Sequence, residues 1–179
     1  DGDDVITGTN VVDRVLGLEG ADVIQTGAGD DTLLGGAGND IYVFNLGDGV
    51  DTIHDVSMAG EGNSIVFGDG ITQADLAFTQ NQAYHILTIA YGAGGDAIQL
   101  AGFDPNKSNG SLVVSTLHFA DGSSIDMSDI FPQGATIFGT DGDEVFTGTL
   151  GDDVIDARGG ADQLDGGSGD DILIGGTGA

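Results

Sequence analysis

The chain has 179 residues, and 30 acidic side chains against three basic ones give it a formal net charge of −27 at pH 7. A charge of this size excludes nucleic acid and anionic membrane surfaces as partners, because both would repel the chain. The sequence has no cysteine, which excludes disulfides and thiolate metal sites.

Aspartate dominates the acidic residues. Only three of the 30 are glutamate, so the other 27 are aspartate. Aspartate is a poor helix former that favours tight turns and the coordination of hard cations. The composition therefore predicts Ca²⁺ as a partner, with acidity that serves only solubility as the alternative. No apolar run approaches the roughly 20 residues of a membrane-spanning helix, so we expect no membrane insertion.

The chain begins with an array of nine-residue repeats. A carboxylate recurs every nine residues, an apolar residue follows it by two, and a glycine usually precedes it by two. The carboxylates of this first array are Asp4, Asp13, Asp22, Asp31 and Asp40. Two degenerate copies follow, in which we place Asp51 and Ser64 in the position of the acid. We expect Asp51 to be a ligand and Ser64 a poor one.

A second array with the same period lies near the end of the chain. Its acids are Glu144, Asp153, Asp162 and Asp171, and its best copy is residues 166–174. Both ends of the chain fall inside a repeat unit, which predicts a piece of a longer protein.

Each unit combines a turn with a short strand. Glycines at the first, second and fourth places allow a tight turn, the acid occupies the sixth place, and the eighth place points inward from a three-residue strand. Two units make one coil of about 18 residues, so acids 18 apart are predicted to stack. The predicted stacks are Asp4–Asp22, Asp13–Asp31, Asp22–Asp40, Glu144–Asp162 and Asp153–Asp171.

Stacked carboxylates about 4.8 Å apart repel each other unless a cation lies between them. Backbone carbonyls of the same turns can complete a shell of oxygen ligands. Such a shell suits Ca²⁺ better than Mg²⁺, which holds its waters, and better than Zn²⁺, since the repeats contain no histidine or cysteine.

The pattern Gly-Gly-x-Gly-x-Asp-x-apolar-x resembles the RTX, or haemolysin-type calcium-binding, repeat. The resemblance implies a parallel β-roll in a secreted, extracellular or cell-surface protein. It also implies export by the type I secretion machinery, disorder in the low-calcium cytosol and folding by Ca²⁺ outside. Segments at residues 42–53 and 119–123 resemble the haemolysin-type calcium-binding-related domain found beside such repeats.

Carried over residue by residue, the resemblance implies several Ca²⁺ ions bound by the sixth-place acids and by carbonyls of turn glycines. The acids are Asp4, Asp13, Asp22, Asp31, Asp40, Asp51, Glu144, Asp153, Asp162 and Asp171. The glycines are Gly27, Gly29, Gly35, Gly36, Gly38, Gly166, Gly167 and Gly169. We expect weak or missing sites where the pattern is broken. The breaks are the longer Glu144, the segment 9–11 before Asp13, and the segment 157–158 before Asp162.

The segment between the arrays reads as further strands. Residues 85–91, 97–100 and 112–119 are β-branched and apolar, and residues 92–96 are typical of a hairpin loop. Thr72 is a candidate cap for one helical turn. Most phenylalanines lie in or beside this segment, so we expect it to hold the only ordinary hydrophobic core.

The sequence therefore predicts an all-β fold with two parallel β-rolls, flanking or joined by a small β-rich capping segment. We place the N-terminal roll at 1–68, the capping or linking segment at 69–134 and the C-terminal roll at 135–179. Rolls with open strand edges favour end-to-end self-association.

No catalytic motif accompanies the repeats, and we expect no enzyme activity. His54, His85 and His118 lie in different segments and are typical of surface or edge histidines. The dipeptide Asp104-Pro105 is of the kind that some RTX proteins cleave on calcium binding, but an ordinary turn is the favoured interpretation.

The favoured function is a calcium-binding structural module that folds outside the cell, supports export and stabilises its parent protein. One alternative is a ligand- or carbohydrate-binding segment of a large adhesin. Another is the non-catalytic part of a secreted hydrolase or epimerase.

Overall fold

The computed structural model describes residues 2–55, 62–81, 85–103, 113–130, 134–148, 152–166 and 170–178. Within these ranges the elements are short strands, one 3₁₀ turn and one four-residue helix. The strands of the first array are β1 (Val5–Thr7), β2 (Arg14–Glu19), β3 (Val23–Gln25), β4 (Thr32–Ala37), β5 (Ile41–Phe44), β6 (Val50–Ile53) and β7 (Ser64–Phe67). The middle segment has the 3₁₀ turn (Gln73–Asp75), β8 (Ala77–Asn81), β9 (Ile86–Tyr91), β10 (Asp96–Ala101), β11 (Thr116–His118), β12 (Ser124–Asp126) and α1 (Met127–Ile130). The second array has β13 (Thr136–Phe138), β14 (Val145–Thr147), β15 (Val154–Asp156), β16 (Gln163–Asp165) and β17 (Ile172–Ile174).

The strands of each array stack in parallel, and regular units are offset by 18 residues; the lengthened turns raise the offset to 20 between β4 and β6 and to 23 between β5 and β7. Val5 of β1 lies opposite Val23 of β3, and Val145 of β14 lies opposite Gln163 of β16. Successive strands enter opposite sheets, so β1, β3, β5 and β7 share one sheet while β2, β4 and β6 share another. Two units thus form one coil, and the predicted all-β fold of parallel β-rolls is confirmed.

One sheet runs through both arrays. Its nine strands follow the order β17-β15-β13-β8-β9-β10-β6-β4-β2, and the antiparallel strands β8, β9 and β10 connect the parallel strands of the two arrays. Ile98 of β10 pairs with Asp51 of β6, and Gln80 of β8 pairs with Ile137 of β13. The middle segment therefore joins the two rolls through main-chain hydrogen bonds. The domain boundaries given above stay predictions.

Inward-facing residues of the first array and the middle segment form a single hydrophobic core. Ile24 and Leu33 of the roll are fully buried in the same cluster as Leu87 and Ile89 of the middle segment. The expectation that only the middle segment has an ordinary core is wrong, because the eighth-place residues of the first roll continue directly into it. The second array has a separate and smaller cluster that consists of Ala135, Ile137, Phe146, Ile155 and Ala157.

The middle segment follows the sequence pattern in most places. Strands β9 and β10 are antiparallel around the predicted 92–96 loop, and Asp75 accepts hydrogen bonds from the backbone N–H and hydroxyl of Thr72 at 2.9 and 2.6 Å. The predicted strand 112–119 is shorter than expected, since β11 covers only Thr116–His118. A search of the described residues found no helix with the length and apolar character that crossing a membrane requires.

Candidate calcium sites

Most sixth-place acids are fixed by the coil that precedes them. The Oδ1 atom of Asp22 accepts a hydrogen bond from the backbone N–H of Asp4 at 2.9 Å, and Oδ1 of Asp31 accepts one from Asp13 at 2.7 Å. The same bond recurs in the second array, where the Glu144 N–H donates to Oδ1 of Asp162 at 2.9 Å. One carboxylate oxygen of each such acid is thus used to fasten two coils at the predicted 18-residue spacing.

The second carboxylate oxygen faces the inside of the turn. Among the described residues, Oδ2 is fully buried without a hydrogen-bond donor in four of these acids, namely Asp22, Asp31, Asp51 and Asp162. A buried carboxylate oxygen without a donor is unfavourable, because it loses its hydration and gains nothing in return. Four repetitions of the same arrangement indicate that the turns are built for a positively charged ligand.

Carbonyl oxygens of the next coil approach these Oδ2 atoms. A side chain on the first-place Gly17 would overlap both Oδ2 of Asp22, in the same turn, and the carbonyl oxygen of Gly35, one coil further on. In the second array, a side chain on Gly148 would overlap Oδ2 of Asp153 and the carbonyl oxygen of Gly166 in the same way. The turn therefore leaves a space lined by a carboxylate and a carbonyl from successive coils. This donor set is all oxygen and fits Ca²⁺.

The remaining predicted glycines lie where successive coils touch. Gly36 and Gly38 have φ angles of 108° and 131°, and a side chain on either would overlap the carbonyl oxygen of Leu18 or Gly20 in the coil below. Gly27 and Gly29 also have positive φ angles and stack on the backbone of residues 9–11. These positions need glycine for close stacking, and their role as ligands stays a prediction. Gly167 and Gly169 lie outside the described residues.

Asp51 occupies the sixth place of the last regular coil in the first array. Its Oδ1 accepts a hydrogen bond from the Asp31 N–H at 3.0 Å, which extends the stack despite the 20-residue separation. The pKa of Asp51 is raised to about 7, mainly by burial and also by the nearby carboxylates of Asp31, Asp48 and Asp30, against the opposing effect of that N–H. A cation in this turn would offset the burial of the charge.

Two of the predicted ligand acids accept hydrogen bonds from a threonine of their own turn. Oδ2 of Asp13 accepts hydrogen bonds from the backbone N–H and the hydroxyl of Thr9, at 2.6 and 2.8 Å. Glu144 likewise accepts hydrogen bonds from the backbone N–H of Thr140, at 2.9 Å, and from the hydroxyl of the same residue. The turn before Asp162, which begins with Ala157 and Arg158, keeps the donor-free oxygen.

The placement of Ser64 in the position of the acid is wrong. Strand β5 pairs with β7 so that Ile41 lies opposite Ser64, which puts Asn63 in the sixth place. Oδ1 of Asn63 accepts the hydrogen bond from the Asp40 N–H at 2.8 Å, as a carboxylate does elsewhere. The step of two residues from Asn63 to the buried Ile65 was the available signal, since it matches the spacing of acid and apolar residue in the other units.

Asn63 also belongs to a buried polar network that sequence reasoning missed. Its Nδ2 donates to Oδ2 of Asp55 at 2.7 Å, and the hydroxyl of Tyr42 donates to the same oxygen at 2.6 Å. The Tyr42 hydroxyl accepts a hydrogen bond from the Gly35 N–H at 3.0 Å, inside the turn. Burial and the Asp55 carboxylate raise the pKa of Tyr42 far above its usual range. Two neutral donors, from Tyr42 and Asn63, thus satisfy the Asp55 carboxylate at the end of the first array.

Fifth-place residues supply a second set of contacts between coils. Oδ1 of Asp3 accepts a hydrogen bond from the Ala21 N–H at 2.8 Å, and Oδ1 of Asp143 accepts one from the Ala161 N–H at 2.8 Å. The other acceptors of this kind are Asp30, Asn39 and Asp152. In these bonds the later coil donates and the earlier coil accepts, whereas in the sixth-place bonds the earlier coil donates and the later coil accepts. Paired acids such as Asp3-Asp4 were the signal for them.

Side chains alone do not assemble a metal centre in the part of the chain that the structure describes, where no three histidine or acidic residues cluster. The repeat pattern predicts backbone carbonyls as additional ligands. His54, His85 and His118 are all exposed. Asp104 and Pro105 lie outside the described residues.

The geometry defines a class of protein in which Gly- and Asp-rich turns of a β-roll present oxygen ligands to calcium. The family model of the RTX calcium-binding nonapeptide repeat matches the chain in four copies, at residues 7–42, 16–53, 138–173 and 165–179. Both arrays therefore belong to the RTX calcium-binding repeat family. The matched ranges leave out residues 54–137, so the resemblance of the middle segment to a neighbouring domain family stays a prediction. No curated protein matches the chain significantly.

Two solved structures illustrate the likeness. A subunit of the mannuronan C5-epimerase of Azotobacter vinelandii is 26% identical, with a TM-score of 0.33, over 57% of this chain and 72% of that one. The extracellular lipase of Serratia marcescens is 17% identical, with a TM-score of 0.26, over 99% of this chain. The chain spans 28% of the lipase's length.

Proposed function

We propose that the chain is a structural module of a secreted protein, and that calcium binding folds its two arrays. The observation that carries the proposal is the set of buried, donor-free carboxylate oxygens of Asp22, Asp31, Asp51 and Asp162. A fold that buries these charges needs a compensating cation inside the turns.

Different atoms of each turn have different roles in binding calcium. Oδ1 of each acid is held by an N–H of the preceding coil, which orients the carboxylate and leaves Oδ2 directed into the turn. First-place carbonyls, such as that of Gly35, approach from the next coil. Calcium, when bound, supplies the positive charge that makes the burial of these oxygens favourable. Because ligands come from two coils, binding also joins the coils.

Folding without calcium is unfavourable for two reasons. The net charge of −27 opposes compaction, and most strands of the arrays are three or four residues long. Few apolar side chains per coil are available to offset the loss of chain entropy. Binding and folding are therefore one coupled event, and shared sites make it cooperative along the stack.

This coupling suits export. In a cytosol with little free calcium the chain stays extended enough to pass through the type I secretion machinery. Outside, at calcium concentrations on the order of 10⁻³ M, extracellular sites of ordinary affinity are filled. The module then folds beyond the membrane and stabilises its parent protein there.

Far-UV circular dichroism with a calcium titration tests this function. We expect a chelated sample to lack β signal and millimolar Ca²⁺ to restore it, while the same concentration of Mg²⁺ does not. An unchanged β signal in chelator would contradict the proposal. Size-exclusion chromatography of the same samples should show the compaction as a later elution volume.

A further inference from the structure

The second place of the repeat exists in two backbone conformations. In five turns that precede a described acid it lies in the left-handed region, with φ of 88° at Leu18, 84° at Gly27, 108° at Gly36, 92° at Gly47 and 63° at Arg158. Thr9 and Thr140 occupy the same place in two other turns, and neither is among the described residues with a positive φ. The arrays thus contain two kinds of turn.

The two conformations coincide with two environments of the sixth-place acid. In four of the five left-handed turns, the inner carboxylate oxygen is buried and has no hydrogen-bond donor among the described residues; the acids are Asp22, Asp31, Asp51 and Asp162. In both threonine turns, the acid accepts hydrogen bonds from the backbone N–H and the hydroxyl of the threonine itself. The conformation of the second place thus accompanies a difference in the hydrogen-bond donors that face the carboxylate.

The left-handed conformation is kept even where the residue does not favour it. Leu18 and Arg158 carry a Cβ atom that is crowded at positive φ, and a branched or long side chain there is uncommon. A turn that relaxed into the threonine-type conformation would avoid this strain. Its retention at both positions, each beside a donor-free carboxylate, indicates that the left-handed turn is needed for the site.

We propose that the second-place residue selects which turns take calcium. Turns with a left-handed second place are calcium turns, whereas Thr9 and Thr140 close their own turns with neutral donors and keep calcium out. Asp13 and Glu144 are then structural acceptors and not ligands. The inference rests on the proposed calcium function and adds an assignment of individual turns to it.

A carboxylate that already accepts an N–H and an O–H has its charge stabilised where a cation would otherwise act. Binding calcium in such a turn would require both hydrogen bonds to break, so its affinity falls below that of the donor-free turns. The two threonine turns are residues 8–13 and 139–144, one in each array.

Native mass spectrometry of the full chain in saturating calcium tests the assignment by counting bound ions. We expect Thr9→Gly and Thr140→Gly each to add one ion, because glycine allows the left-handed conformation and removes the hydroxyl. Thr9→Ser keeps both donors and should leave the count unchanged. In the wild-type background, Asp13→Asn should also leave the count unchanged, whereas in the Thr9→Gly background it should remove the added ion.

The outcomes separate this inference from the proposed function. If no form of the chain binds calcium, the proposed function itself fails. If the wild type binds calcium and Asp22→Asn loses at least one ion, the function stands. In that case, loss of an ion in Asp13→Asn or Glu144→Gln, or no gain in a folded Thr9→Gly variant, overturns the assignment of the threonine turns.

Discussion

The two arrays have the same repeat pattern and contribute strands to one sheet, but they differ in their hydrophobic cores. The first array packs its inward residues into a core that continues through the middle segment, with Tyr42, Phe44 and Phe67 fully or almost fully buried. Among its described residues, the second array rests on five buried side chains, with Phe146 as the one aromatic member of that cluster, and its second sheet has two strands.

The difference shows how the same turn can be supported in two ways. Burial of a large apolar side chain contributes about 1.5–3 kcal/mol, so a roll with a shared core is partly stabilised before any ion binds. A roll with few such residues depends on its ions for most of its stability. We therefore expect the second array to be the more calcium-dependent half of the molecule.

Calcium removal should produce the largest difference in stability between the two arrays. As the free calcium concentration is lowered, we expect the second array to unfold first and the first array to follow at a lower concentration. Hydrogen exchange followed by peptide mass spectrometry resolves the two, through peptides that cover β15–β17 and β2–β4. Loss of protection at one common concentration would show that the continuous sheet makes them a single cooperative unit.

Truncating the small core should produce the next largest effect. Phe146→Ala removes the main side chain of the second cluster and should cost about 3–5 kcal/mol. We expect β14–β17 to lose exchange protection at all accessible calcium concentrations, while β2–β6 stay protected. Val145→Ala, which changes an exposed neighbour (68% exposed), is the matched control and should alter neither array. Collapse of both arrays in Phe146→Ala would contradict the separation of the two cores.

Removing one carboxylate from the first array should have a smaller, local effect. Asp31→Asn keeps an acceptor for the Asp13 N–H but removes the charge that faces the turn. We expect the calcium midpoint of the first array to rise about tenfold, which corresponds to about 1.4 kcal/mol. Asp129→Asn, on the exposed side of α1, serves as control in the same circular dichroism titration. Equal midpoints for the two variants would remove Asp31 from the ligand set.

Relieving backbone strain should give the smallest shift and again distinguish the arrays. Leu18→Gly removes a Cβ at positive φ and should stabilise the first array by about 1 kcal/mol. Arg158→Gly relieves the same strain in the second array but loses the stacking of Arg158 on Phe138, where the guanidinium lies 5.4 Å from the ring centre. We expect a net change near zero there, measured as the shift in thermal midpoint at fixed calcium. A larger gain for Arg158→Gly would contradict this balance.

The register of the coils and the sixth-place acids could be predicted from the sequence, because a strict nine-residue period leaves one way to stack units in pairs. The Ser64 assignment failed because the lengthened turn before β7 broke that period, and only the step from Asn63 to Ile65 kept it. The role of Thr9 and Thr140 depends on a φ angle, which a residue name does not determine. The shared sheet depends on pairing between β8 and β13, residues far apart in the chain, and no local pattern encodes it.

The opposed carboxylate bonds between coils have a consequence for how an array can grow. At the junction of the coils that contain Asp4 and Asp22, the earlier coil contributes the Asp3 acceptor and the later coil the Asp22 acceptor. A new coil added at either end of a stack therefore meets one waiting N–H and one waiting carboxylate. A coil can therefore join either end of a stack through the same pair of hydrogen bonds, so the hydrogen-bond pattern imposes no single direction of growth.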